Sequence, residues 1–132
     1  MAPMLLTGGG MRGGPLHQLL RGAPLLAVTT TAPRYRLLSV GDRFPALVAV
    51  AEDGVAVDGE LYDVPLDVLR ESLLPAEPDE LELGVVELAD GSSCLAMVLR
   101  RPATEPAGLL DVSEHGGWRR YRGETAEPPD LP

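Results

Sequence analysis

The chain predicts an α+β fold: a mixed, mostly antiparallel sheet closing toward a barrel, with two flanking helices. Three observations carry this. Short apolar runs rich in Leu and Val recur between Gly, Pro and Asp turn signals. Several neighbouring runs are joined by connections of hairpin length, Ala89-Asp90-Gly91-Ser92 being the clearest. Only two stretches space their leucines at helical intervals. With 132 residues, of which 45% are hydrophobic, the chain suits one domain with a real core. Aromatics are only 4%, so Leu, Val and Ala must fill that core.

A first short strand covers residues 4–7. Leu16, Leu19 and Leu20 then give one face of a short helix, ended by Gly22 as its cap and Pro24 just beyond. Residues 25–31 turn β-branched and read as a strand, broken by Ala32-Pro33. Strands over 35–40 and 46–50 follow. Glu52-Asp53-Gly54 has hairpin-turn chemistry, so residues 55–62 should return as a further strand, kinked or bulged at Asp58-Gly59. Pro65 opens a helix with Leu66, Leu69 and Leu73 on one face, stopping at Pro75. The acidic stretch 76–82 is a loop, and 83–88 with 93–99 form the hairpin. Residues 102–108 are loop, 109–112 a short edge strand. One domain therefore spans 1–123, and 124–132 is an acidic tail.

The net charge of −9 leaves no basic stripe for nucleic acid. All 11 basic residues are Arg, which removes Schiff-base lysine chemistry. Cys94 is alone and lies in an apolar run, so it reads as a buried thiol in a reducing, cytoplasmic setting. The two histidines show no metal-binding spacing, and no cofactor is expected. No apolar run approaches the ~20 residues of a membrane span.

The chemistry concentrates at residues 7–15, TGGGMRGGP. Glycines between a strand and a helix start let backbone amides approach an anion. Thr7, Gly8, Gly9, Gly10 and Met11 are the candidate cradle, and Arg12 the candidate anion-binding side chain. The plain alternative is a tight turn. Glu60, if it points inward, would be a buried acid with a raised pKa suited to proton transfer; if outward, a solvated edge charge. Glu77 is the second candidate acid, although Asp79, Glu80 and Glu82 beside it suit a solvated loop. Tyr35 and Tyr62 could hydrogen-bond a carboxylate or amide, or pack in the core. Trp118 is expected to cover the end of the sheet, His17 to sit on a helix surface and His115 near a cavity rim.

The order of these segments resembles the gamma-glutamylcyclotransferase-like fold. The loop after the first strand, the stretch TAPRYRLLSV, Phe44-Pro45-Ala46-Leu47-Val48, and Val57-Asp58-Gly59-Glu60-Leu61-Tyr62 carry the likeness over residues 4–74. The second half resembles one branch, the C-terminal domain of allophanate hydrolase, through Pro78, Leu81, Leu83, Gly84, residues 86–93, Leu110-Asp111-Val112-Ser113 and Gly116-Gly117-Trp118-Arg119-Arg120-Tyr121. Thr7 stands at the cyclotransferase loop's Tyr. Gly10 stands where the allophanate hydrolase domain often carries His. The resemblance implies a stand-alone domain acting on a small carboxylate- or carbamoyl-bearing molecule by cyclotransfer, amide hydrolysis or decarboxylation. It places the general acid/base near Ala76-Glu77. It also leaves open a non-catalytic module that binds a metabolite or braces an amidase-type partner or its own copy.

Overall fold

The computed structural model describes residues 2–100 and 109–123. Eight strands form one mixed sheet: β1 (Ala2–Leu6), β2 (Leu25–Thr30), β3 (Tyr35–Val40), β4 (Phe44–Ala49), β5 (Asp58–Val64), β6 (Leu81–Glu87), β7 (Ser93–Leu99) and β8 (Leu109–Asp111). Their order is β2-β5-β1-β7-β4-β3-β8, with β6 also on β7. The β6–β7 hairpin pairs antiparallel from Leu81↔Leu99 to Glu87↔Ser93. A bridge between Thr31 and Leu88 joins the end of β2 to the end of β6. Ala32 N–H donates to Glu87 O and Ala89 N–H to Thr30 O at the same corner. Five strands thus curl back on themselves into a half-barrel, and β4, β3 and β8 extend it from β7.

Both faces of β1 are buried, which explains its unbroken apolar sequence. Leu5 points into the curl with Leu37, Leu47, Val57, Val86 and Ala96. Met4 and Leu6 point the other way and meet Tyr62, Val64, Leu69 and Leu73. The helical segments close this second core. A 3₁₀ turn (His17–Leu20) supplies Leu20. The stretch after β5 begins as α1 (Leu66–Val68), widens to a π turn (Leu69–Leu73) and tightens to a 3₁₀ turn (Leu74–Ala76). Pro75 has no N–H to donate, and Leu74 N–H reaches back to Leu69 O, five residues away. Ser72 Oγ–H donates to Leu19 O and ties the two helical segments together.

Four local expectations are corrected. Glu52-Asp53-Gly54 does not make a hairpin: Val55 bridges Tyr35, and the chain then crosses to pair β5 with β1 and β2. Asp58-Gly59 is regular strand, and the irregularity lies opposite, between Leu25 and Ala27. Gly59 is glycine for another reason, since a Cβ there would stand 2.7 Å from Leu5 Cδ1. The predicted single helices are a 3₁₀ turn and a composite helix, and the first is capped by Arg21 in the left-handed region (φ 53°) rather than by Gly22. The expected loop at 102–108 and tail at 124–132 lie outside the described residues.

Candidate functional site

The site forms where β7 changes neighbours. Along one edge β7 meets β1 at Leu95 and Ala96, then β4 at Val98. β1 leaves at Leu6 and β4 enters at Phe44, and a cavity of about 460 Å³ lies between them. Thr7, Gly8, Gly9, Gly10, Arg12 and Pro15 line it on the loop side. Phe44 and Pro45 line it from β4, Glu77 and Pro78 from beyond the composite helix. Trp118, Arg119 and Arg122 contribute the wall made by a short C-terminal helix, α2 (Trp118–Arg122).

The glycine loop is folded tightly on itself. Met11 N–H donates to Gly8 O (3.0 Å), Gly14 N–H to Met11 O (2.9 Å) and Leu16 N–H to Gly9 O (2.9 Å). A Cβ on Gly14 would lie 2.2 Å from Gly9 O, so this crossing admits glycine alone. His17 Nδ1 lies 3.0 Å from Gly10 O; the carbonyl only accepts, so Nδ1 carries the proton. His17 is therefore a loop clamp rather than a surface residue. The expected cradle narrows: Met11 turns its side chain into the second core at 4% exposure, and its amide is taken. Among the described residues, no hydrogen bond engages the amides of Gly8, Gly9 and Gly10.

Glu60 points inward and is 1% exposed. Its Oε1 accepts from Arg12 N–H (2.8 Å) and from Tyr62 O–H (2.8 Å). Its Oε2 accepts from Arg12 Nε (3.0 Å) and lies 3.3 Å from Arg119 Nη2. Arg119 Nη2 also donates to Arg12 O. Burial alone would push this carboxyl up. The Arg12 amide, the Tyr62 hydroxyl, the Arg12 guanidinium and the charge of Arg119 together outweigh it and hold the carboxyl below the usual range. The raised pKa expected of a buried Glu60 is thus corrected: it is a held anion. The same burial, then the bond to Glu60, pushes the Tyr62 hydroxyl up, so that group stays a donor beneath the loop.

Glu77 differs. It is half-buried on the cavity wall, and among the described residues no hydrogen bond or ion pair reaches its carboxylate. Burial pushes it up to about 7. A group with that value gives and takes protons at neutral pH. Tyr35 stands apart from the cavity. It is buried in the first core, and its hydroxyl oxygen accepts from Glu87 N–H (2.8 Å). Trp118, 7% exposed, is both a core and a lining residue. His115 packs its ring on Tyr121 and is not among the lining residues.

Three residues escaped the sequence reading: Arg43, Arg119 and Arg122. Together with Arg12 they place four of the chain's eleven arginines on the cavity lining, against one acid, Glu77. Arg43 lies over the Phe44 ring and pairs with Glu80; Arg122 lies over Trp118 and donates to Asp42 O. In a chain of charge −9, that lining is an inversion of sign. The only sequence hint was the cluster of arginines after Trp118.

The sequence pattern of the allophanate hydrolase C-terminal domain family matches residues 2–123. The chain belongs to that family. Urea amidolyase of Saccharomyces cerevisiae is 26% identical over 125 residues, covering 89% of this chain. The chain spans only 7% of that relative's length. A uropathogenic E. coli-specific protein of known structure superposes with a TM-score of 0.85 at 33% identity, over 94% of this chain and 97% of the other. Kluyveromyces lactis allophanate hydrolase gives 0.83 at 26% identity, over 92% of this chain and 21% of the other. An AIG2-like protein of Mus musculus (TM-score 0.66, 22% identity, 100% and 99% covered) shares the fold. Among the described residues, no helix is long and apolar enough to cross a membrane.

Proposed function

We propose that this domain takes a small anionic carboxylate- or carbamoyl-bearing molecule into the cavity beside the glycine loop and moves a proton on it with Glu77. The supporting observation is the pairing, on one lining, of four arginines with a single acid that no partner reaches among the described residues and that burial pushes up to about 7. The arginines attract and orient the anion, as guanidinium forks suit carboxylates. The amides of Gly9 and Gly10 supply donors for its oxygens. Protonated Glu77 is then the acid that neutralises a developing negative charge, or, deprotonated, the base that begins cyclisation or hydrolysis. Decarboxylation fits the same arrangement: the bond to the carboxylate carbon breaks, CO2 departs, and the electron pair left on nitrogen or carbon takes its proton from Glu77.

The test is a turnover screen of γ-glutamyl peptides and carbamoyl ureas with wild type and Glu77→Gln. Loss of turnover by ~10²-fold or more, with an inflection near pH 7 abolished, supports the role. Full turnover by Glu77→Gln refutes it.

A second reading has one observation behind it: residues 8–10 offer no reactive side chain to the cavity. The domain would then bind without turnover and pair with an amidase-type chain or its own copy. A shift of the gel-filtration profile on mixing with a co-encoded amidase, together with a negative screen, favours this reading.

A further inference from the structure

Glu60 is the only acid among the buried residues described, yet it is not on the cavity lining. Its work must pass through the groups it holds. Those groups come from three places in the chain. Arg12 belongs to the loop, 48 positions away, and Arg119 to α2, 59 positions away; Tyr62 neighbours Glu60 on β5. Residue 12 is gripped at three points: its amide and guanidinium by Glu60, its carbonyl by Arg119. Two of the four lining arginines thus share one carboxylate beneath them.

We propose that Glu60 is a positioning residue that fixes the glycine loop in shape and fastens α2 to it, so that Arg12 and Arg119 face an anion in the cavity as one unit. The ligand half of this rests on the function proposed above; the fastening of loop to helix does not. A plain stabilising ion pair is the poorer account. Buried pairs contribute little net stability against an apolar replacement, and this one spends a backbone amide and a hydroxyl to stay charged. What the arrangement secures is geometry: a loop that folds on its own carbonyls and on His17, with Met11 packed in the second core, gains a charged link to β5 and to the opposite wall.

The test uses the described chain at full length, with malonate as the anion probe. Amide hydrogen exchange is read over residues 8–16 and 117–123, and malonate affinity by calorimetry. Glu60→Gln keeps an acceptor for the Arg12 amide but removes the charge. Exchange in both segments should rise about tenfold while the rest of the sheet keeps its protection. Malonate should bind about tenfold more weakly. Arg119→Gln should raise exchange in the same two segments, and the double variant should be no worse than Glu60→Gln alone. Glu60→Asp, with the charge one methylene short, should recover part of the lost affinity. Wild-type exchange in folded Glu60→Gln overturns the proposal, as do additive effects in the double variant. Were Glu60→Gln not to fold, unchanged loop exchange in Arg119→Gln overturns it. Failure of wild type to bind malonate, with the exchange coupling intact, overturns the anion-facing half and the functional reading under it, and supports the fastening.

Discussion

Two acids stand within reach of the same cavity and behave in opposite ways. Glu60, beneath the floor, is the more deeply buried and is held charged. Glu77, on the wall, is less buried and is held close to neutral. Burial therefore does not rank carboxyl groups by acidity. The donors that come with burial do: an amide, a hydroxyl and two guanidiniums at Glu60, against no partner at Glu77 among the described residues. The floor is a place where charge is fixed, and the wall a place where a proton can move.

The sharpest way to break this contrast is Glu60→Ala. It removes the carboxylate that the Arg12 amide, the Tyr62 hydroxyl and two guanidiniums share and should cost about 3 kcal/mol in urea unfolding; Arg12 retains partial solvent access (38%), which limits the loss. A cost no larger than that of an ordinary surface change would remove Glu60 from the centre of the floor. Gly14→Ala tests the loop without touching a charge. Its Cβ would meet Gly9 O, and the forced opening should cost about 2 kcal/mol and loosen exchange at Leu16.

Acid titration sets the two acids against each other. Glu77 binds its proton more tightly folded than unfolded, so wild type loses stability at this site as pH rises from about 4.5 to about 7. Glu77→Gln should remove that slope and be more stable than wild type by about 1 kcal/mol at pH 8, partial exposure having reduced the effect. Glu60 has the opposite sign. Its contribution is present above pH 4.5 and disappears as the pH falls through its depressed folded value, which makes Glu60→Gln the flatter curve in acid. Thermal unfolding across pH 3–8 reads both. An effect of similar size, with no pH dependence, belongs to Tyr35→Phe. It leaves the Glu87 amide without its acceptor, should cost about 1 kcal/mol, and should leave malonate affinity unchanged because Tyr35 is not on the lining.

The sheet was largely legible because its runs are bounded by turn residues. The β6–β7 hairpin follows from Ala89-Asp90-Gly91-Ser92 between two apolar runs, and β3 from a run closed by Gly41-Asp42. The pairing of β5 was not legible. Asp53 and Gly54 look like a hairpin turn, and nothing local says that the strand after them will leave β4 to join β1 and β2. The sidedness of Glu60 depended on that pairing, since a strand's two faces exchange with a one-residue shift. Arg119 was hidden for the same reason: its partners lie 59 and 107 residues away.

What the amino-acid order settled by itself is the class of fold, a glycine loop after β1 and the presence of Glu77 after the second helical stretch. These are local matters, written in turn chemistry, spacing and the absence of a Cβ. The assembled molecule alone decided which carboxyl would be an anion and which a near-neutral acid, and that four arginines from three separate segments would meet on one lining. The reason is that proton affinity and field are set by groups close in space, and the fold gathers those groups from positions that sequence spacing does not connect.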